Sequence, residues 1–253
     1  MIFVIGGRGF VGSAIVRRCE ALGLEHAVID RASYASYVGR RCALLVNANG
    51  NSRKPLAAKE PLAEFDASVR SVRASLEDFS FDCYVHLSSC DVYPDCSSPE
   101  TTREEQPLDP AAQSPYGFHK YLAEQCVRHG AGKHVIFRLG GFVGPGLKKN
   151  AIFDILHGGP LWLDPESELQ FLHTGDCARI VLDLAQAGTE GTYNLCGAGV
   201  VKLADVMRER GREVPVQPGS PRVRYEVSVE RVRALAEIPE TRRTVFQFVR
   251  ENS

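Results

Sequence analysis

An α/β fold built on a doubly wound parallel sheet is predicted by three features of the sequence. Short apolar runs alternate with amphipathic stretches through the first two thirds of the chain, a glycine-rich turn follows the first run, and an acidic residue closes the second. Short buried strands alternating with helices need crossover connections, and crossovers cover both faces of a parallel sheet with helices.

The elements follow in order. Met1 to Ile5 reads as a buried strand, and Val11 to Ala21 as a helix, with Val11, Ile15, Val16 and Leu22 among polar neighbours. His26 to Ile29 and Cys42 to Val46 are the next strands, Leu62 to Phe79 has a helical period, and Cys83 to Leu87 is a strand. Tyr116 to Arg128 is a helix and His134 to Leu139 a strand. Leu147 to Asp164 reads as a helix-containing insertion, Asp176 to Ala187 as a helix, Gly191 to Leu195 as a strand and Val201 to Arg210 as a helix. The proline-bearing tail ends in an amphipathic helix near Arg242 to Arg250. No linker interrupts this pattern. The expected division is a dinucleotide-binding core over 1–146. Residues 147–253 then hold the remaining core strands and helices, interleaved with a small substrate lobe in one structural unit.

The chain has 253 residues, 44% hydrophobic and 24% charged, with a formal net charge of -1. A chain of this length buries roughly three quarters of its unfolded surface and needs no covalent staples. The charge gives no footprint for nucleic acid or an anionic membrane. No apolar run reaches the ~20 residues of a membrane helix. Met1-Ile2-Phe3-Val4-Ile5 runs into glycines without a secretory pattern, and the eight cysteines contain no Cys-x-x-Cys pair, so a cytoplasmic protein with reduced thiols is expected. No histidine pair has metal-site spacing and the acids do not cluster, so no metal is expected.

Gly6-Gly7-Arg8-Gly9-Phe10-Val11-Gly12 lies between the first strand and the first helix, with Gly6, Gly9 and Gly12 spaced G-x-x-G-x-x-G. Such a turn lets backbone approach a pyrophosphate, and the helix amino terminus offers N–H groups to the anion. Asp30 ends the second strand, where a carboxylate accepts hydrogen bonds from the adenosine ribose. These features predict a Rossmann-type core that binds NAD. Arg8 and Arg31 suit a 2′-phosphate, which keeps NADP as the alternative.

Tyr116 and Lys120 stand four apart on one helix and share a face. A neighbouring ammonium and a nicotinamide ring favour the phenolate, which then takes a hydroxyl proton as hydride leaves the same carbon. Ser89 follows the strand ending at Leu87, at a carboxyl end where open α/β sheets bind ligands.

With these pieces the sequence resembles the extended short-chain dehydrogenase/reductase family, the NAD-dependent epimerases and dehydratases of nucleotide sugars. The matching segments are the glycine turn, Asp30, Leu87-Ser88-Ser89-Cys90-Asp91-Val92-Tyr93, Tyr116-x-x-x-Lys120, Arg138-Leu139-Gly140-Gly141-Phe142-Val143-Gly144-Pro145-Gly146, Gln170-Phe171-Leu172-His173-Thr174-Gly175-Asp176-Cys177-Ala178 and Tyr193-Asn194-Leu195. The resemblance implies a catalytic triad of Ser89, Tyr116 and Lys120. It places Gly140, Phe142 and Val143 near the nicotinamide, with Phe10, Val11, Asn47, Asn49 and Leu87 also lining the cofactor. It implies a sugar-nucleotide substrate met by Ser89, Cys90 and Asp91, and a homodimer through the helix carrying Tyr116 and the one before it. Lys148 and Lys149, just after Gly146, are candidates for a substrate diphosphate, with a solvated helix start as the alternative.

Asp91 stands two before Tyr93, where nucleotide-sugar dehydratases carry a glutamate and GDP-fucose synthase a cysteine. Asp91 or Cys90 is therefore a candidate acid–base group, and a capping or packing role is the alternative. Some family features are changed. His-Leu-Ala-Ala after the third strand is replaced by Asn47-Ala48-Asn49-Gly50-Asn51-Ser52-Arg53-Lys54, the usual asparagine of the next helix by Ser68, and the substrate lobe is short. Epimerisation, keto-sugar reduction and dehydration all stay open, with epimerisation slightly preferred. A dinucleotide-binding protein without turnover is the alternative of another class. His119 is expected at the surface, pointing away from Tyr116, and His173 in a structural hydrogen bond.

Overall fold

The computed structural model describes residues 1–51 and 54–252; Ser52 and Arg53 of the altered loop, and Ser253, lie outside the described residues. The chain forms two compact units. The first comprises Met1–Pro94, Pro107–Leu139 and Cys177–Tyr193, and the second Asp95–Gln106, Gly140–Asp176 and Asn194–Ser253.

Strand β1 (Ile2–Ile5) leads into α1 (Phe10–Ala21), β2 (His26–Ile29), β3 (Arg41–Asn47), α2 (Lys54–Lys59), α3 (Pro61–Phe65), α4 (Ser71–Asp78), β4 (Ser80–Ser89), α5 (Pro115–Gly130) and β5 (His134–Leu139). Then come β6 (Gly141–Val143), α6 (Ala151–His157), β7 (Glu168–Leu169), β8 (Phe171–His173), α7 (Thr174–Gln186), β9 (Gly191–Leu195), β10 (Val201–Lys202), α8 (Leu203–Arg210), β11 (Arg224–Tyr225), α9 (Glu230–Arg233) and α10 (Thr241–Glu251).

The main sheet has the order β2-β1-β3-β4-β5-β9. Its first five strands pair in parallel, with Val4 opposite both Val28 and Val46, Asn47 opposite His86, and Ser89 opposite Leu139. The chain winds one way from β1 to β2 and the other way to β3. A crevice therefore opens at the carboxyl ends of β1 and β3, the usual ligand position in such sheets. Phe3, Ile5, Leu45, Tyr84 and Ile136 of the sheet pack with Val72 and Leu76 of α4 and Ala123 and Val127 of α5.

The helical period read over Leu62 to Phe79 is present, but it is not one regular helix. A π-helical turn, Asp66–Arg70, joins α3 to α4. Such a turn has an i→i+5 ladder and rotates the following residues, a change that apolar spacing does not register. Val201 and Lys202, read as helix, form strand β10 instead, paired with β7. Strands of two or three residues are too short for a period of two to be legible.

In the second unit β6 pairs with β8 in parallel, and β10-β7-β11 form a small sheet. Val143, Ile152, Ile155, Phe171, Leu203, Val206, Val245 and Phe248 make its core. Gln170 clamps this unit: its Nε2 donates to Gly197 O at 2.7 Å and to Val227 O at 3.1 Å, and its Oε1 accepts from Val227 N. The first unit's second segment stops at Leu139, whereas the sequence placed the core boundary at 146, because β6 joins β8 rather than the main sheet.

Candidate active site

The glycine turn brings backbone into contact at the carboxyl ends of β1 and β3. Gly6 has φ +75°, and a methyl group on it would stand 2.9 Å from the Ala48 carbonyl. One on Gly12 would stand 2.3 Å from Gly6 O. Neither position accepts a side chain without moving backbone. Gly9 precedes helix α1 as its N-cap residue and offers no side-chain cap, and the first turn, which Phe10 and Val11 open, holds no acid. Its N–H groups and positive dipole end thus face no protein anion of their own, and a pyrophosphate fits there.

Asp30 is held in place. Its Oδ1 accepts from Ala32 N and Ser33 N at 3.0 Å, and its Oδ2 lies 3.1 Å from Arg8 Nε. Hydrogen bonds from Ser33, and then Arg8, hold its carboxyl below the usual range. Arg31 is exposed. Asn47 is buried and uses its amide inward, donating to Tyr84 OH at 2.7 Å and Ser75 Oγ at 3.2 Å while its Oδ1 accepts from Asn49 N. It shapes the loop through the backbone of Asn49. Leu87 is buried on β4.

Helix α5 starts where its sequence dictates. Ser114 accepts from Gly117 N at 3.1 Å as the cap, and Pro115 occupies the first turn, where its missing N–H costs nothing. Tyr116 and Lys120 are buried on the face turned to the end of β4. Ser89 caps a 3-10 turn, Cys90–Val92: its Oγ donates to Asp91 Oδ2 at 3.0 Å and accepts from Asp91 N at 3.2 Å. Lys54 Nζ donates to Asp91 Oδ1 at 2.7 Å. Lys120 Nζ lies 5.6 Å from the centre of the Tyr116 ring.

Burial pushes the Tyr116 phenol up, and the Asp91 and Glu64 carboxylates add to it, against the opposing influence of the Ser89 hydroxyl. Burial pulls Lys120 down, opposed by Glu64, Asp91 and Glu124. Protein groups alone thus favour a protonated tyrosine beside a weakened ammonium.

Two features went unread in the sequence. Glu124, fully buried on α5, accepts from Arg138 Nε at 3.0 Å and Nη2 at 2.9 Å, from Ser88 Oγ at 2.7 Å and from Arg128 Nη2 at 3.1 Å. Arg138 Nη1 also donates to Tyr93 OH. This network fastens α5 to β4 and β5 and fixes the bearing of Tyr116; the Glu124 to Arg128 spacing was its one sequence signal. The second feature is Glu64, also fully buried, which is hydrogen-bonded to His119 Nδ1 on one oxygen and accepts from Ser68 Oγ on the other. The surface position expected for His119 is therefore incorrect: it is buried, because Glu64 supplies it with a partner on α3. No spacing rule links residues 64 and 119.

Cys90 is buried, and its thiol donates to Arg138 O at 3.2 Å. Gly140, Phe142, Val143, Lys148 and Lys149 belong to the second unit. There a methyl on Gly140 would meet Cys196 Sγ at 2.5 Å, Val143 packs in the core, and the two lysines are exposed. His173 Nδ1 accepts from Gly175 N at 3.1 Å. Among the described residues no group of three His, Cys, Asp or Glu side chains is placed to hold a metal ion, and no helix is long and apolar enough to cross a membrane.

The model of the NAD dependent epimerase/dehydratase family matches residues 2–68 and 41–196. Similar solved structures include a UDP-galactose 4-epimerase, 21% identical over 99% of this chain and 96% of that one, with a TM-score of 0.79. The UDP-glucose 4-epimerase of Thermus thermophilus in complex with NAD is 21% identical over 98% of both chains, TM-score 0.73. The dTDP-4-dehydrorhamnose reductase of Bacillus anthracis in complex with NADP is 14% identical over 99% of this chain and 98% of that one, TM-score 0.78. No curated protein matches the sequence.

Proposed function

The chain belongs to the NAD dependent epimerase/dehydratase family, and on that premise we propose that it moves a hydride and a proton at a carbinol or keto carbon of a sugar nucleotide or related small molecule. The observation that carries this reading is the gathering of Ser89, Tyr116 and Lys120 in one unit, all three buried, with Lys120 Nζ 5.6 Å from the centre of the Tyr116 ring.

Bound NAD supplies the hydride donor or acceptor and a positive ring that favours the Tyr116 phenolate. Tyr116 takes the proton from the carbinol oxygen, or returns it, as general base or acid. The Lys120 ammonium stabilises the phenolate, and Ser89 holds the substrate oxygen. Asp91 is engaged by both Ser89 and Lys54, which suits a positioning role better than the proton abstraction of a dehydratase. Gly6, Gly9 and Gly12 hold the pyrophosphate, and Asp30 the adenosine ribose. The engagement of Arg8 by Asp30 favours NAD over NADP. Lys148 and Lys149 are the proposed contacts for a substrate diphosphate. The exposed Phe118 on α5, with Leu62 and Phe65 on α3, supports a homodimer through α5 and the helical segment before it.

The test is Tyr116→Phe against wild type, with UDP-, GDP- and dTDP-sugars and either dinucleotide. The expected result is a loss of about 100-fold or more in kcat with NAD affinity kept, and faster turnover with NAD than NADP. Equal inertness of both proteins across the panel while NAD still binds would leave the silent dinucleotide-binding protein as the better reading.

A further inference from the structure

The turn after β4 fixes more than the place of Ser89. Ser89 Oγ donates to Asp91 Oδ2 at 3.0 Å and accepts from Asp91 N at 3.2 Å, so the two residues close a small ring of hydrogen bonds. Asp91 is held from the other side as well, because its Oδ1 accepts from Lys54 Nζ on α2 at 2.7 Å. The backbone of the turn is pinned too. Cys90 Sγ donates to Arg138 O at 3.2 Å, and Gln113 Nε2 donates to Val92 O at 2.6 Å.

The direction of one hydrogen follows. A carboxylate accepts and cannot donate, whereas a serine hydroxyl has one hydrogen and two lone pairs. The bond to Asp91 Oδ2 therefore uses the Ser89 hydrogen, and the bond from Asp91 N uses one lone pair. A single lone pair is left. Ser89 is buried, Tyr116 feels its hydroxyl, and both Tyr116 and Lys120 feel the Asp91 charge, so that lone pair belongs to the reacting site.

We propose that Asp91, clamped by Lys54, makes Ser89 a hydrogen-bond acceptor, and that the site therefore takes a vicinal diol or the matching hydroxyketone, with a free hydroxyl on the carbon beside the reacting one. This polarity rests on the reading of Tyr116 as the proton-transfer group. In the oxidative direction the reacting hydroxyl gives its proton to the Tyr116 phenolate while hydride passes from the same carbon to the dinucleotide. That hydroxyl has no second hydrogen for Ser89. The neighbouring hydroxyl has one, and Ser89 receives it. The carbinol becomes a ketone, the neighbouring hydroxyl stays intact, and its bond to Ser89 is the same before and after. Reduction runs the exchange backwards. A substrate without that hydroxyl leaves a buried acceptor unmet, which is how such a site rejects a deoxy analogue. Lys54 acts through Asp91 and is a positioning residue.

The clamp has an effect that shape alone would not give. Asp91→Asn keeps the size of the side chain but replaces one oxygen by an amide nitrogen. Lys54 needs an acceptor and keeps the remaining oxygen, so the nitrogen turns to Ser89 and donates to it. Ser89 Oγ then receives two hydrogens, and its own is free for the substrate. Removing Lys54 as well lets the amide turn back and present its oxygen to Ser89.

The experiment uses small ketones. Protein carrying 13C at the tyrosine Cζ is saturated with tetrahydro-NAD, a reduced dinucleotide whose ring gives up no hydride. It is titrated with 2-hydroxycyclohexanone or 2-fluorocyclohexanone, since fluorine fills the hydroxyl position and cannot donate. The Tyr116 signal is identified by its absence in Tyr116→Phe, and its shift gives each Kd. Wild type is expected to bind the hydroxyketone about tenfold or more tighter than the fluoroketone. The ratio should fall close to one in Asp91→Asn and recover in Asp91→Asn with Lys54→Met, a recovery that a merely loosened fold would not show. If Asp91→Asn does not fold, the wild-type ratio decides alone. Equal Kd values in wild type, with Tyr116 shifting for both ketones, would overturn the acceptor polarity and leave the reading of Tyr116 standing. An undiminished ratio in Asp91→Asn would overturn the part given to Asp91 and Lys54. No shift of Tyr116 with either ketone would sink the reading of Tyr116, and the polarity with it.

Discussion

Gly117 and Asp91 meet with no room for a side chain between them: a methyl group on Gly117 would stand 2.0 Å from the Asp91 carbonyl oxygen. Helix α5 therefore touches the turn after β4 backbone to backbone, one residue beyond Tyr116. That contact sets the separation of Tyr116 from Ser89.

Gly117→Ala should push the helix off this turn. Overpacking of this kind costs about 1–3 kcal/mol, readable as a lower urea midpoint. The displaced tyrosine should also move away from Ser89, so activity on any substrate found for the wild type should fall far more than stability. Unchanged stability and activity would show that the turn yields freely and that the contact does not position Tyr116.

The buried clamp on α5 gives a second prediction. Arg138→Met leaves Glu124 without its bidentate partner, and stranding a buried charge costs about 3–5 kcal/mol. Removing both charges, as Glu124→Leu with Arg138→Met, should recover much of that loss. Urea melts of the two singles and the double form the cycle. A double variant as unstable as the sum of the singles would mean that the pair does not act as a unit.

His86 yields a prediction in pH. It is buried on β4, and neither ring nitrogen has a hydrogen-bond partner among the described residues. Burial pushes its pKa down to about 3, with Lys120 and Arg128 reinforcing the shift and Glu124 opposing it. The unfolded chain binds this proton near pH 6.5. The contribution of the neutral ring is complete above that value and is lost as pH falls towards 3, by up to ~1.4 kcal/mol per pH unit. His86→Leu removes the titration. Its unfolding free energy minus that of wild type should therefore rise between pH 7.5 and pH 5, and urea melts at the two values measure it. A difference that stays constant with pH would place the ring in contact with water.

Legibility in the sequence followed the physics of each signal. The parallel core was readable because its strands carry runs of three or more apolar residues between amphipathic helices, as at Ile2–Ile5 and His134–Leu139. The glycine turn was readable because backbone contact and an uncapped helix end demand glycine at fixed spacing. Ser114-Pro115 announced α5 in the same way, through a cap and a first-turn proline. The pairing of Glu64 with His119 was not readable, since it joins two helices through tertiary contact across fifty-five positions. Asn47 looked like a cofactor-loop residue, yet its side chain faces Tyr84 and Ser75, and only the fold shows which way a buried amide turns. The π turn around Ser68 and the two-residue strands escaped because each spans only about one period of its own pattern, too little for a repeat to show.

The path of the chain has a consequence for its synthesis. It leaves the first unit after Pro94, Leu139 and Tyr193 and re-enters it at Pro107 and Cys177. The last strand of the main sheet, Gly191–Leu195, is made only after the other five strands of that sheet. A nascent chain ending at Leu139 already carries the glycine turn, Ser89, Tyr116 and Lys120, but has β5 as an unpaired, strongly apolar sheet edge. Such an edge is a template for pairing with another chain. Until β9 emerges from the ribosome, the half-made sheet is open to aggregation and to chaperones that hold exposed strands.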